Sequence, residues 1–286
     1  MSTEQHLRIS VIAGWIVCAG LLGVAGCQRG SQPALAATPE AAAPEAAPVA
    51  PMVVEPSVSG LDDIIERSPS YVVGISFPQH LESQPGLEKL IRDYADGARA
   101  ELKQAVQALG SDRPSAPYEL SLRFDTLFDT PTLVAVAADG SAYTGGAHGV
   151  PLVARFVWLK SPAKPLTAAE LIPDPGHWAT VAEQVAARLH EAALVRIQAG
   201  KLSPDEQRSL LQSADKMIAE GTVAKPDNFA QFEPLLDASG RITALRFVFP
   251  PYQVGPYSDG TQTADVPANV LRPLVAPEYA ELFTMN

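Results

Sequence analysis

Only two cysteines occur in the 286 residues, at positions 18 and 27. The body of the protein therefore has no disulfide framework and no cysteine-based metal site, and its stability has to come from an apolar core. Positive charge is also scarce: 21 Lys and Arg stand against 32 Asp and Glu, a formal net charge of −11. That balance argues against nucleic acid or an anionic lipid surface as partner and suits a cationic protein. Catalytic signatures are missing as well. No serine sits in a G-x-S-x-G elbow, no G-x-x-x-x-G-K phosphate loop occurs, and no G-x-G-x-x-G follows a strand. "HEAAL" at 190–194 begins like a zinc-protease helix, but Leu194 stands where the second ligand is needed. His190 and Glu191 thus read as a solvated helix face. His80, His148 and His177 share no ligand spacing. No metal, no cofactor and no enzymatic activity are expected.

At the N-terminus, Ile9 to Val24 form an apolar run as long as a secretory signal core and short for a membrane span. It leads into "VAGC" at 24–27, which resembles the bacterial lipobox. The resemblance implies a signal peptide over 1–26 and a lipoprotein whose first residue, Cys27, carries acyl chains (palmitate among them) that anchor it in a lipid bilayer. Gln28 in place of Asp implies sorting to the outer membrane, with the protein facing the periplasm. Residues 27–58 follow with Pro at 33, 39, 44, 48, 51 and 56 and no large apolar cluster until Val53. Such a segment reads as an extended tether, ~3 Å per residue where polyproline-like.

The rest of the chain patterns as α+β. "YVVGISF" at 71–77 reads as a strand ended by Pro78, and 86–109 has helical apolar spacing closed by Gly110. "YELSLRFD" at 118–125 alternates strictly, which marks a half-buried strand of an antiparallel sheet. Strands are also expected at 132–138 and 150–159. Thr167 and Glu170 have capping-box spacing, a long helix is expected over 177–199, and "SPDE" at 203–206 starts another that Gly221 stops. In the 177–199 helix Trp178, Val181, Val185, Leu189, Ala192 and either Leu194 or Val195 are expected inward. "FEPLLD" and "RITALRFVF" flank "ASG" as a hairpin, followed by a strand at 261–266 and a short helix over 267–275. The expected fold is antiparallel sheet with helices packed on one face, in two associated subdomains, 59–140 and 141–286.

Two loops stand out. "YTGGAHG" at 143–149 surrounds one histidine with three glycines, whose backbone freedom allows positive φ and a concave run of amides. His148 there either closes a turn, forms part of a partner surface, or acts as a base. "PPYQVGPYSDG" at 250–260 combines prolines that fix φ with glycines that permit sharp bends, so Tyr252 and Tyr257 are held on a stiff loop. Their rings either stack on a ligand or plug the sheet end. The candidate binding residues are Tyr143, Gly145, Gly146, His148, Tyr252, Tyr257 and Asp259.

Together, "YTGGAHGV" and "FVFPPYQVGPYSDGTQTADVPANVLRPLV" resemble the bacterial extracytoplasmic family called domain of unknown function 3298. The half from "YVVGISFPQHL" to "YELSLRFD" resembles its companion domain numbered 4163. Relatives in this RsiV- and PdaC-type group include the extracellular part of an anti-sigma factor that binds lysozyme and the N-terminal part of a peptidoglycan deacetylase. Val150 departs from the polar residue often found there. With no segment expected before the signal and none after Asn286, neither signalling nor deacetylation is implied. The resemblance implies an envelope-facing binding module that takes a lysozyme-like protein, another envelope protein, or peptidoglycan.

Overall fold

The computed structural model describes residues 61–112 and 114–285. The expected signal peptide, Cys27 and the 27–58 tether lie outside these residues. No helix among the described residues is long and apolar enough to cross a membrane.

Six strands form the first sheet in chain order: β1 (Ile64–Arg67), β2 (Tyr71–Ser76), β3 (Tyr118–Asp129), β4 (Leu133–Tyr143), β5 (Val150–Leu159) and the two-residue β6 (Lys164–Pro165). All neighbours are antiparallel except β2 and β3, which run parallel. That exception follows from the helix α1 (Pro85–Ala108) between them, since a parallel pair needs a long crossover. α1 buries Leu87, Ile91, Ala95 and Leu102 against Leu120, Leu122 and Phe124 of β3 and Val134, Val136 and Ala138 of β4. Its first turn approaches β5 so closely that a Cβ on Gly86 would lie 2.2 Å from the Trp158 ring.

β4 is buried on both faces. Leu133 and Ala135, with Val157 and Leu159 of β5, point away from α1 into a second core. That core is built by α2 (Ala168–Leu171), α3 (Trp178–Ala199), α4 (Pro204–Gly221), β7 (Phe232–Leu236), β8 (Ile242–Phe249), β9 (Gln262–Pro267) and α5 (Ala268–Leu271). β7, β8 and β9 form a three-stranded antiparallel sheet. Trp178 stacks on Phe229 within the core, Phe247 and Phe249 meet the Phe229 ring edge-on, and the Trp178 indole donates to Ile172 O at 3.0 Å. α2 and α4 begin with the capping boxes Thr167/Glu170 and Ser203/Glu206.

The two sheets are joined by a buried ionic contact. Arg155 of β5, 7% exposed, donates from Nε to Glu233 of β7 and from Nη1 to Asp139 of β4 and to two backbone carbonyls. Gln231 accepts the Arg155 backbone N–H at 2.6 Å. Residue 140, where a subdomain boundary was expected, lies inside β4, and the sheet continues through β5 to Pro165.

Candidate functional site

The first loop closes the β4–β5 hairpin, in which Ala142 pairs with Val150. Gly145 and Gly146 take φ of 99° and 95°, which a side chain would strain, and the Tyr143 hydroxyl donates to Gly146 O at 3.3 Å. This turn projects His148 into solvent at the end of the sheet.

The second loop joins β8 to β9 and is fastened from beneath. The Gln253 side-chain amide donates to Gly221 O at 3.2 Å and to Asn228 O at 2.9 Å, and Val254 is buried in the second core. The end of α4 and this loop touch so closely that a Cβ on Gly221 would stand 2.0 Å from Gln253 O. Gly221 is therefore required for close approach rather than as a left-handed helix cap, and α4 continues through it to cap at Thr222. Backbone bonds from Tyr252 N–H to Gly255 O, Gln253 N–H to Pro250 O and Asp259 N–H to Pro256 O fold the loop on itself. Asp259 accepts from Arg196 Nη2 at 3.0 Å, while Arg196 Nη1 donates to Gln262 at 2.8 Å, which ties the loop to the last turn of α3.

The two loops meet through their rings. His148 stacks on Tyr257 with centroids 4.0 Å apart and planes 15° from parallel, and Tyr252 stands 5.7 Å from Tyr257. Tyr252 also reaches His148 Nε2 with its hydroxyl at 2.9 Å. The other ring nitrogen, Nδ1, lies 3.1 Å from Gly149 O. A carbonyl only accepts, so Nδ1 carries the proton in the neutral ring, and Nε2 must accept from the Tyr252 hydroxyl. Tyr252 holds this position at φ 75°, uncommon for a bulky side chain and a form of local strain found at functional sites. It is 55% exposed, and Tyr257 is 37% exposed.

Of the candidate residues, His148, Tyr252 and Tyr257 form the cluster, Tyr143 and the glycines shape its hairpin, and Asp259 supports it through Arg196. Sequence reasoning missed Arg196, Gln253 and Gln262. Arg196 had no local signal, whereas Gln253, set among prolines and glycines, could have been suspected of bonding backbone. Two further histidines bond elsewhere: His177 Nδ1 meets Leu274 O at 2.9 Å and His190 Nδ1 meets Asp215 at 2.6 Å. His190 was expected on a solvated face, and it is half-exposed there, bridging α3 to α4.

Chemically the cluster offers ring faces, a tyrosine oxygen with outward lone pairs, and the exposed peptide groups of the glycine turn. Both His148 nitrogens are occupied within the fold, and neither partner is a carboxylate. Among the described residues no group of three or more His, Cys, Asp or Glu is placed to hold a metal ion.

The comparisons with known proteins bear on the first loop. The segment from β1 to the start of β5 matches the family model described as deacetylase PdaC. The match spans residues 64–151. It contains His148 and the whole glycine turn, whereas Tyr252 and Tyr257 lie beyond it. The fold is similar to that of a DUF3298 family protein from Pseudomonas aeruginosa, at 18% identity and a TM-score of 0.51 over 79% of this chain and 94% of that one. A DUF3298 family member from Bacteroides fragilis aligns over 76% of this chain and 94% of its own, at 13% identity and a TM-score of 0.45. No curated protein matches the sequence.

Proposed function

We propose that the protein is a lipid-anchored binding module of the bacterial cell envelope, held in the outer membrane through Cys27, which docks its partner on the His148–Tyr252–Tyr257 cluster. The observation that carries this reading is the union of two loops a hundred residues apart into one exposed aromatic surface, fixed by the Tyr252–His148 hydrogen bond and the His148–Tyr257 stack. Partly exposed aromatic side chains on a rigid, fully bonded frame are what binding hot spots are made of. A side chain at positive φ, kept where a glycine would relax, supports selection for the position of its ring.

A cationic lysozyme-like protein or another envelope protein is the leading partner. The net charge of −11 favours encounter with a basic surface. Immobilised protein should retain lysozyme saturably at low ionic strength, with retention falling as salt rises and lost in His148→Ala. Absence of saturable binding at low salt removes the lysozyme version.

The exposure of Tyr252 favours a second reading, in which its ring stacks on a sugar of peptidoglycan. Co-sedimentation with purified sacculi, abolished by Tyr252→Ala or Tyr257→Ala, would assign the surface to glycan. The deacetylase in the family description prompts a third assay. As a binding element, the purified protein should release no acetate from N-acetylated glycan, and release that disappears in His148→Ala would make it an enzyme.

A further inference from the structure

The hydrogen bond that joins the two loops has a direction, and a single proton reverses it. In the neutral ring Nδ1–H of His148 donates to Gly149 O, and Nε2 accepts from the Tyr252 hydroxyl. That hydroxyl has no other partner among the described residues, and Tyr252 is 55% exposed, so its oxygen turns lone pairs to solvent. An imidazolium carries N–H on both nitrogens and accepts at neither. With a second proton from solvent, Nδ1 still donates to Gly149 O, while Nε2 becomes a donor and the phenol oxygen 2.9 Å away its acceptor. The hydroxyl proton then has to turn outward.

The surroundings hold a charged ring in place and leave its charge uncancelled. Tyr257 lies face to face with His148 at 4.0 Å, inside the ~6 Å at which an aromatic face attracts a cation. The ionisable side chains on the neighbouring elements are Tyr143 on the same hairpin, Tyr118 and Glu119 of β3 beside it, Tyr252, Tyr257 and Asp259 on the 250–260 loop, and Arg196 of α3. Asp259 is engaged by Arg196 at 3.0 Å. Among the described residues no carboxylate forms an ion pair with His148, in contrast to His177 and His190.

We propose that proton uptake by His148 converts this surface from a hydrogen-bond acceptor into a cationic donor, and that in this state it takes a carboxylate group of its ligand. The inference rests on the docking role proposed above for the His148–Tyr252–Tyr257 cluster. A carboxylate only accepts, so it is matched by the outward Tyr252 O–H backed by the imidazolium charge. The hairpin tip adds donors, since the backbone N–H groups of 144–148 are exposed and none has a partner among the described residues. With His148 neutral, the Tyr252 oxygen meets a carboxylate lone pair to lone pair, and a ligand bearing N–H or O–H groups is preferred.

Acetate and its uncharged isostere acetamide are the probes, titrated against the full chain at constant ionic strength while NMR follows the His148, Tyr257 and hairpin signals. Imidazoles exchange their second proton across about pH 5–8. Acetate should therefore bind about tenfold more tightly near pH 5.5 than near pH 8, and acetamide about equally at both. His148→Gln keeps a polar side chain that cannot take the proton, so its acetate binding should not vary with pH. Tyr252→Phe keeps the ring without the O–H and should lose most of the gain on the acid side. An acetate response that is the same at both pH values, or a pH dependence that survives in His148→Gln, overturns the proposal. So does a His148 ring that leaves Tyr257 on protonation, seen as loss of its ring-current shifts. Failure of the docking role shows differently: lysozyme and sacculi are then bound no better by the unaltered chain than by His148→Ala, while the acetate response keeps its pH dependence.

Discussion

Tyr252 donates its hydroxyl proton to His148 Nε2 at 2.9 Å, across 104 positions of sequence, and does so from a backbone conformation that its own side chain disfavours. Under the proposed docking role, stability and ligand binding are set against each other at this residue. Tyr252→Gly relaxes a strain of roughly 1–2 kcal/mol while removing an exposed contact worth about 1 kcal/mol or less. The melting temperature of Tyr252→Gly is expected to stay level or rise while partner binding is lost. Tyr252→Phe keeps the ring and loses the hydrogen bond, so it should weaken binding less. Differential scanning calorimetry and a binding titration on the same samples check both.

Gly221 carries the second loop at one remove from the rings. A methyl group there meets Gln253 O at 2.0 Å, so backbone has to move. Gly221→Ala is expected to destabilise by about 1–3 kcal/mol through overpacking and to displace the 250–260 loop. A drop in melting temperature together with altered His148 and Tyr257 NMR shifts is the expected pattern; unchanged shifts would mean that α4 alone absorbs the clash.

Arg155 joins the sheets with a nearly buried side chain, and Glu233 opposite it is 15% exposed. Arg155→Ala leaves that carboxylate without its partner, for an expected loss of about 3–5 kcal/mol. Arg155→Met with Glu233→Leu, which removes both charges, should recover much of the loss. Denaturant titrations of the three proteins read this directly.

Acid should loosen the β1–α1 contact made by Glu66 with Arg99 and Lys103. Burial pushes the Glu66 carboxyl up, but hydrogen bonds and charge from Arg99 and Lys103 together outweigh it and hold the group below its ordinary 4.5. Because the folded value is depressed, the contribution is complete above pH 4.5 and is lost as the pH falls through the folded value. Glu66→Gln should be less stable at neutral pH and flatten the acid limb of a stability–pH profile. A parallel shift of the whole curve would count against this assignment.

Much of the fold could be read from periodicity. The alternation of 118–125 marked β3, and the buried set of α3 was foreseen at Trp178, Val181, Val185 and Leu189. One turn further on, Ala193 is buried where Ala192 was expected, and Leu194 is the more covered of the pair with Val195. The difference is small because several consecutive apolar residues leave the helix phase poorly fixed. β1 was missed since "IIER" is too short to show a pattern, and its place depends on β2. The parallel pairing of β2 and β3 was not legible either, because the sheet's alternation reports burial and not strand direction. At the site, the unusual loops were evident from their glycines and prolines. Their meeting was not, because it depends on Gln253, Arg196 and the close approach of Gly221, contacts between distant elements that leave no local pattern.

β4 runs between the two cores, and its last residue, Tyr143, opens the hairpin that carries His148. The hairpin is held at its far end by the Tyr252 hydroxyl on His148 and the stack of His148 on Tyr257. If the rings dock a partner as proposed, their arrangement is settled before contact, so little motion remains to be quenched. Association at this surface should accordingly show fast, single-step kinetics, with affinity differences between ligands appearing in how slowly each one leaves.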